Sequence, residues 1–371
     1  MNIELGAMNM QIPTMFAVAT GAYGNIGDAV IRRQVLEWFS EESRAGAHVY
    51  VGSAPDEWIR QLRLPDSTRI YRSDSKWRWL RKAALGRGPR FLALDPGEVP
   101  LAHRDVPSEI VLLALTACLR IRKSVVIRPP RGVGRTSSAG VWIHRLAVKL
   151  STVSMWRNSD SLALIRFGEK APDAAFSGEW KAGQSPEERD VLVISYRGAR
   201  PYPRRAVLDA IRGLAQLHDL KLVCVSQVSS DRDRNAALAT ELAEMGATHL
   251  DWVVGDDIRH ETALRALYGR ARFVLSDRLH VLILAAMEGA VPIEYVDSPK
   301  PKVRVTFSNI GVEGVSVDAT ATSSNLQAKA HSLLSSRPEL LDAIRRANME
   351  LSSQATRLRV TVGDNGKSRN V

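Results

Sequence analysis

The run FVLSDRLHVLILAAMEGAVPIEY, Phe273–Tyr295, reads as strand, polar turn, apolar helix, glycine and strand in immediate succession. Phe273–Leu275 is the first strand, and Ser276 stands where it can cap a helix running from Arg278 to Glu288. Gly289 falls just past that helix, the position where a left-handed residue ends a helix most easily, and Val291–Tyr295 is the returning strand. Strand, loop, helix and strand in this order is the unit of a parallel sheet with helices on its faces.

Outward from this run the same unit recurs. Upstream lie a strand at Val191–Ser195, a helix at Arg204–His218, a strand at Lys221–Val225 and a helix at Arg234–Met245. A strand at Thr248–Val253 and a helix at Thr262–Tyr268 complete that half. The stretch SGEWKAGQSPEER, Ser177–Arg189, is polar, holds Gly and Pro and shows no period, so it reads as a linker. Before it the alternation is present again. Met15–Thr20 leads through GNIGD (Gly24–Asp28) into a helix from Ile26 to Phe39, whose apolar residues Ile26, Val30, Ile31, Val35, Trp38 and Phe39 keep one face. Strand candidates follow at His48–Val51, Arg69–Tyr71, Phe91–Leu94 and Ser124–Ile127, with a helix across Pro107–Leu119. Amphipathic helices at Leu326–Ser335 and Pro338–Ala355 close the folded part, and Asp364–Val371 reads as a loose tail. The expectation is an α/β protein of two doubly wound, Rossmann-like domains, 1–180 and 181–335, followed by a C-terminal helix and tail at 336–371. The shape is the bilobal one of B-type glycosyltransferases, with the ligand in the cleft beyond the carboxyl ends of the strands.

Composition sets the outer limits. A chain of 371 residues, 45% apolar and 25% charged, is globular and long enough for two cores. The formal charge of +11, from 51 basic and 40 acidic residues, fits either a solvated basic surface or anionic partners. The basic residues recur in Arg72–Arg81, Arg120–Arg135 and Arg197–Arg205 rather than in one tail. They lack interleaved aromatics, and no helix-turn-helix, zinc or RNA-binding signature accompanies them, which argues against nucleic acid. Cys118 and Cys224 each sit in an apolar run and read as buried, reduced thiols. No basic stretch followed by an apolar core opens the sequence. Runs such as Val281–Met287 fall far short of the ~20 residues of a membrane span. A soluble, cytoplasmic protein is expected.

Two turns carry the chemistry. GNIGD joins a strand to a helix, where free backbone N–H groups and the helix dipole favour an anion or sugar hydroxyls; Asn25 can cap and Asp28 can point back at the cap. A glycine turn with a capped helix would have the same pattern, and the G-x-G-x-x-G spacing of dinucleotide sites is absent. SDRLH, Ser276–His280, repeats the arrangement with an Arg and a His in the first helical turn, a pairing that can hold an anion and move a proton. VLVISYRG delivers Arg197 from a strand into a loop, and Gln227 and Asp231 follow the next strand. Each of these also reads as ordinary loop chemistry.

Taken in order, these segments resemble the polysaccharide pyruvyl transferase family. That family carries GNxGD after its first strand, an arginine opening the second domain, a Gln…Asp segment and a late S-x-R-x-H before an apolar helix and a Gly-then-Pro turn. The counterparts here are Gly24–Asp28, Arg197, Gln227 with Asp231, Ser276–His280, and Gly289 with Pro292. Pro172–Phe176 and Gly132–Val133–Gly134 are also similar, and the likeness spans about Ala17 to Ile310. Two departures stand out. Leu94–Glu98 lacks one glycine of the family's pair, and the late turn is one residue longer.

The resemblance implies an enzyme that moves pyruvyl from phosphoenolpyruvate onto a sugar diol, as a cyclic ketal, with no further cofactor and no metal. It implies His280 as acid–base and Asp28 as the group that orients or deprotonates an acceptor hydroxyl. Arg197 and Arg278 become the donor's cations, with Lys302 as a third. Ser276, Leu279, Asn25, Gly27 and Gln227 become substrate contacts. The acceptor would be a glycan or lipid-linked sugar, which also allows peripheral association with the inner face of the membrane. Two alternatives stay open. A nucleotide-sugar glycosyltransferase would use Glu294 on the ribose, and a catalytically inactive relative would only bind glycans.

Overall fold

The computed structural model describes residues 12–181, 185–321 and 325–367. Its first sheet contains β1 (Thr14–Val18), β2 (His48–Gly52), β3 (Arg69–Arg72), β4 (Arg90–Ala93), β5 (Gly97–Leu101), β6 (Val125–Thr136), β7 (Val153–Trp156) and β8 (Glu169–Lys170). The strands run in the order β3-β2-β1-β4-β6-β7-β8, with β5 alongside the far end of β6. The second sheet contains β9 (Val191–Ser195), β10 (Lys221–Val225), β11 (Thr248–Leu250), β12 (Ala271–Ser276), β13 (Val291–Val296) and β14 (Ser316–Asp318), in the order β11-β10-β9-β12-β13-β14. Every pairing in both sheets is parallel. Central strands such as VLVIS in β9 are buried along their whole length because helices cover both faces.

The helices of the first lobe are α1 (Ile26–Glu37), α2 (Glu41–Ala45), α3 (Asp56–Gln61), α4 (Lys76–Leu85), α5 (Val106–Ile121), α6 (Ser138–Leu150) and α7 (Ser159–Ile165). Those of the second are α8 (Arg205–Leu217), α9 (Arg232–Glu241), α10 (Asp257–Arg270), α11 (Leu279–Met287), α12 (Pro301–Ser308) and α13 (Leu326–Ser335), and α14 (Arg337–Lys367) follows. On one face of the first sheet, Phe16, Leu92 and Val126 pack against Trp79 and Ala83 of α4 and Leu115 and Leu119 of α5. On the other, Met15, Ala17 and Phe91 join one core with α1, α11, Phe307 of α12, and Leu340, Ile344, Leu351 and Leu358 of α14. The long last helix thus crosses back onto the first lobe.

Several local expectations are corrected by this packing. The first helix does not keep a single buried face: Ile26 through Leu36 are buried except Asp28, because α1 is wedged between the lobes. Ile26 and Val30 enter the core of the second sheet with Val193, Val274 and Val281, while Ile31 and Val35 serve the first. Its arginines are therefore buried too, and Arg33 donates to both carboxylate oxygens of Glu261 at 2.9 and 2.7 Å. The polar start of α10 hid five of its residues from the periodicity; Asp256 caps it by accepting from Arg259 N–H. Stretches to which the sequence pattern assigns no element supply β5, the far half of β6, α6, β7 and α7. Pro129 and Pro130 are tolerated there because β6 leaves its neighbour β4 at Ile127 and meets β5 only from Arg131 onward. The supposed tail is helical through Lys367, and residues 368–371 lie outside the described residues. Ser177–Arg189 is held down where described: Ser177 Oγ accepts from Trp38 Nε1 at 3.0 Å, and Lys181 N–H donates to Met287 O at 3.1 Å. Cys118 is half-buried rather than buried, and Cys224 is enclosed, which pushes its thiol up to about 12. No helix among the described residues is long and apolar enough to cross a membrane.

Candidate active site

The carboxyl ends of β1, β4 and β6 face those of β9, β10 and β12 across a cleft of about 720 Å³. Gly24 sits at φ +73° and lets the loop turn back on itself; Asn25 then caps α1, its side chain accepting from Gly27 N–H. The loop is tied to the second lobe, with Ile26 N–H donating to Gln227 O at 3.2 Å and Ser229 N–H to Gly24 O at 2.8 Å. This bridge fixes GNIGD against the start of α11. Gly27 lies directly beneath His280, since a Cβ there would come within 2.4 Å of the histidine Cβ.

His280 stands between two carboxylates, Asp28 with Oδ1 4.0 Å from Nδ1 and Asp173 with Oδ1 3.9 Å from Nε2. Nε2 is buried without a hydrogen-bond partner, and Nδ1 is the nitrogen on the Asp28 side. Burial pushes the imidazole down to about 4 against the opposing pull of Asp173 and Asp28, so the ring is neutral near pH 7. Asp173 is itself buried, yet Arg157 (2.7 Å), His280 and the N–H of Ala175 overcome that burial and hold its carboxyl below the usual range. Asp28 does not bond back to the cap as the spacing predicts; its Oδ2 accepts from Ala22 N–H at 3.2 Å and its Oδ1 lies 3.8 Å from Arg32. The turn before the loop competes for it.

The second lobe presents arginines, each already steadied by an aspartate. Arg278 Nη2 donates to Asp231 Oδ1 at 2.7 Å and its Nε to the other oxygen, leaving Nη1 for a ligand. Arg197 N–H donates to Asp277 Oδ1 at 2.9 Å, and its Nε lies 3.6 Å from Oδ2 of the same carboxylate. Burial, with Arg278 adding to it, lowers the Arg197 guanidinium below its ordinary value despite Asp277. Lys302 is not free in solvent: its Nζ lies 3.1 Å from Glu98 Oε2, and burial with Arg157 nearby lowers its ammonium.

Asn25, Asp28, Arg197, Gln227, Arg278, Leu279, His280 and Lys302 all line the cleft. Two sequence-read contacts do not. Ser276 is wholly buried; its hydroxyl donates to Ser195 O and accepts from Arg278 N–H, so it braces the turn while Arg278 takes the N-cap position. Gly27 serves as the floor under His280 rather than as a lining residue. Gln227 is nearly enclosed and accepts from the Tyr268 hydroxyl at 3.2 Å. Leu279 mainly belongs to the core beneath.

Other groups in the cleft escaped sequence reasoning. Arg157 holds Asp173 and lies 3.9 Å from Glu98; the flagged segment Pro172–Phe176 was the one clue to that pair. Asp95 belongs to Leu94–Glu98, the segment that lacks one glycine of the family's pair. It accepts from Thr20 N–H, lies 3.3 Å from Arg32, and is nonetheless pushed up by burial. Arg131, 7% exposed, lines the first-lobe side with its Nε unpartnered, and burial lowers its guanidinium despite Asp95 and Glu109. Nothing in its own neighbourhood of sequence separates it from a surface arginine. Glu294, by contrast, is away from the cleft. It accepts from Ser316 Oγ at 2.5 Å and burial pushes it up to about 7, so it is not poised to grip a ribose there. Among the described residues no cluster of three or more His, Cys, Asp or Glu side chains could hold a metal ion.

Solved structures with this architecture include the Anabaena protein HepE in complex with UDP and glucose, at 11% identity and a TM-score of 0.51, covering 96% of this chain and 100% of that one. The UDP-GlcNAc 2-epimerase of Neisseria meningitidis, bound to UDP-GlcNAc, aligns at 10% identity and 0.54 over 94% and 99%. The glycotransferase of kitacinnamycin aligns at 14% and 0.51 over 96% and 99%. At such identities the likeness shows the bilobal B-type glycosyltransferase fold alone. No curated protein matches the sequence. The sequence model of the polysaccharide pyruvyl transferases, however, matches residues 25–293, from the glycine loop through α11 into β13, and the chain belongs to the polysaccharide pyruvyl transferase family.

Proposed function

We propose that this cleft transfers pyruvyl from phosphoenolpyruvate onto two hydroxyls of a sugar in a cell-surface polysaccharide or its precursor, giving a cyclic ketal and phosphate in the cytoplasm. The observation that carries the reading is His280, neutral and set between Asp28 and Asp173, on the same cleft as Arg197 and Arg278. The donor's phosphate and carboxylate face the second lobe, where Arg278 Nη1, Arg197 and Lys302 supply charge-assisted donors. The acceptor enters from the first lobe, past Asn25 and Asp28.

A neutral imidazole is a base first. Nδ1 takes the proton of an attacking hydroxyl, and Asp173 beyond Nε2 stabilises the imidazolium, as a carboxylate does for histidine in triads. The enol CH2 gains one proton and becomes CH3 while C2 bonds the first oxygen. The second hydroxyl then bonds C2 as phosphate departs, and its proton leaves with the phosphate. One hydroxyl proton thus ends on carbon and the other on phosphate. Gly27, Ser276 and Leu279 act by position, holding His280 and Arg278 in place. No cofactor enters this scheme.

Calorimetric titration of phosphoenolpyruvate, UDP-sugars and GDP-sugars into wild type and Arg197→Ala tests it. Arg278→Lys serves as the second variant because loss of Arg278 would strand Asp231. Phosphoenolpyruvate binding that weakens at least tenfold in both variants supports the assignment. Tight nucleotide-sugar binding with no response to phosphoenolpyruvate would transfer the cleft to the glycosyltransferase reading.

A further inference from the structure

The chain's positive charge is concentrated in one place. Residues 76–150 hold 15 Lys and Arg against 4 Asp and Glu, and the rest of the chain holds 36 of each, so the whole formal excess of +11 belongs to this segment. The segment builds α4, α5 and α6, which lie side by side, with α4 and α5 covering the face of the first sheet opposite α14. Of its four acidic residues, Glu109 is buried, Asp95 and Asp105 are half-buried, and Glu98 is engaged with Lys302. The outer surface of these helices is therefore almost purely basic, with Arg78, Arg81, Arg87, Lys123 and Lys149 exposed.

The same helices expose large apolar side chains among the cations. Trp77 is 71% exposed, Leu85 64%, Ile110 51%, Ile121 83% and Trp142 62%. Along α4 the order Trp77, Arg81, Leu85 repeats every four residues, so apolar, basic and apolar groups share one stripe of that helix. Core packing does not call for these residues, since Trp79 and Ala83 already supply the inward face. The arrangement also disfavours self-association, because a second copy would bring the same basic face against itself.

We propose that the outward face of α4, α5 and α6 docks on a lipid bilayer with anionic headgroups. Phosphate-bearing headgroups take the arginines and lysines, indole rings rest at the interface, and Leu85, Ile110 and Ile121 reach the acyl boundary. Aliphatic side chains gain nothing from nucleic acid, which would reward the charge alone. The inner residues Trp79, Leu80 and Leu112 of α4 and α5 line the cleft, so the docked face borders the cleft's mouth. A surface-bound enzyme would meet a membrane-borne acceptor there, but the docking itself stands independently of the reaction proposed above.

Co-sedimentation of the full chain with vesicles tests the proposal, using phosphatidylcholine alone and phosphatidylcholine mixed with phosphatidylglycerol. Binding to the anionic vesicles is expected to exceed that to the neutral ones at least tenfold and to fall with added salt. The double charge reversal Arg78→Glu/Arg81→Glu, at exposed positions outside the cleft, should cost at least a further tenfold, since each basic residue near the surface is worth about 1 kcal/mol. Trp77→Ala with Trp142→Ala should weaken vesicle binding without removing the salt dependence. Unchanged circular dichroism and melting of the variants establish that the fold is intact. Equal binding to both vesicle types, binding that the reversals leave unaltered, or dimerisation abolished by Trp77→Ala would overturn the proposal. So would retention on DNA with no vesicle binding.

Discussion

Replacing Gly27 by alanine tests the geometry under His280 most directly. The new methyl would fall 2.4 Å from the His280 Cβ and 2.7 Å from Nδ1. Carbon atoms rest at about 3.5–4.0 Å, so the histidine, or the first turn of α11 with it, must retreat by roughly 1 Å. Both sides are confined: Gly27 is in the first turn of α1, and every residue of α11 but His280 is buried. A displacement of that size at a proton-transferring group costs on the order of 10²-fold in rate. Overpacking of this kind costs about 1–3 kcal/mol in stability. Arg197 and Arg278 are held by Asp277 and Asp231 rather than by this contact, so the donor should bind nearly as before. Phosphate release with phosphoenolpyruvate and acceptor gives kcat, calorimetry gives donor affinity, and urea unfolding gives the stability change. Wild-type kcat in a folded Gly27→Ala protein would refute the idea that His280 works from this position. Equal loss of donor binding and turnover would show that the loop, not the imidazole, was displaced.

Other outcomes follow from the same contacts. His280→Gln should lower kcat by 10²- to 10⁴-fold, roughly the contribution of acid–base catalysis, with donor affinity retained. Arg131→Met should raise the acceptor KM, because it removes a cation from the first-lobe wall of the cleft; steady-state kinetics reads the effect. Glu261→Gln leaves Arg33 buried without its partner and should cost roughly 3–5 kcal/mol in the same unfolding assay. Acid should loosen the fold through His48 as well as His280, both of which burial lowers to about 4. Between that value and an unfolded pKa near 6.5 the unfolded chain binds the extra proton, so stability falls as pH drops through this window, by up to about 3 kcal/mol per histidine. Denaturation curves at several pH values should show this slope, and His48→Gln should flatten it.

The sequence was most informative where backbone geometry and chemistry coincide. SDRLH and GNIGD each join a strand to a helix, and their glycines, caps and charges are local, so their placement at the cleft could be read from order alone. Much of the second lobe follows the same logic, since a strand such as β9 is apolar throughout and α8 keeps one apolar face. Legibility failed where burial is created by distant chain. Arg33 and Arg131 look like any of the 51 basic residues until Glu261 and the cleft walls surround them. Ser276 looks like a cap, but the carbonyl of Ser195, on the neighbouring strand, claims its proton. Asp173 was visible only as part of a similar segment, because its partners Arg157 and His280 come from either side of it in sequence.

The return of α14 onto the first lobe bears on how the chain is made. Met15, Ala17 and Phe91 share their core with Leu340, Ile344 and Leu358, so one side of the first sheet is completed only by residues synthesised after the whole second lobe. During translation that sheet would leave the ribosome with an uncovered apolar face, and it would stay uncovered for the time needed to add the intervening residues. A nascent chain halted before Arg337 should therefore recruit holding chaperones to its oldest portion rather than to its newest. The second lobe, whose cover is nearly all its own, could fold at once.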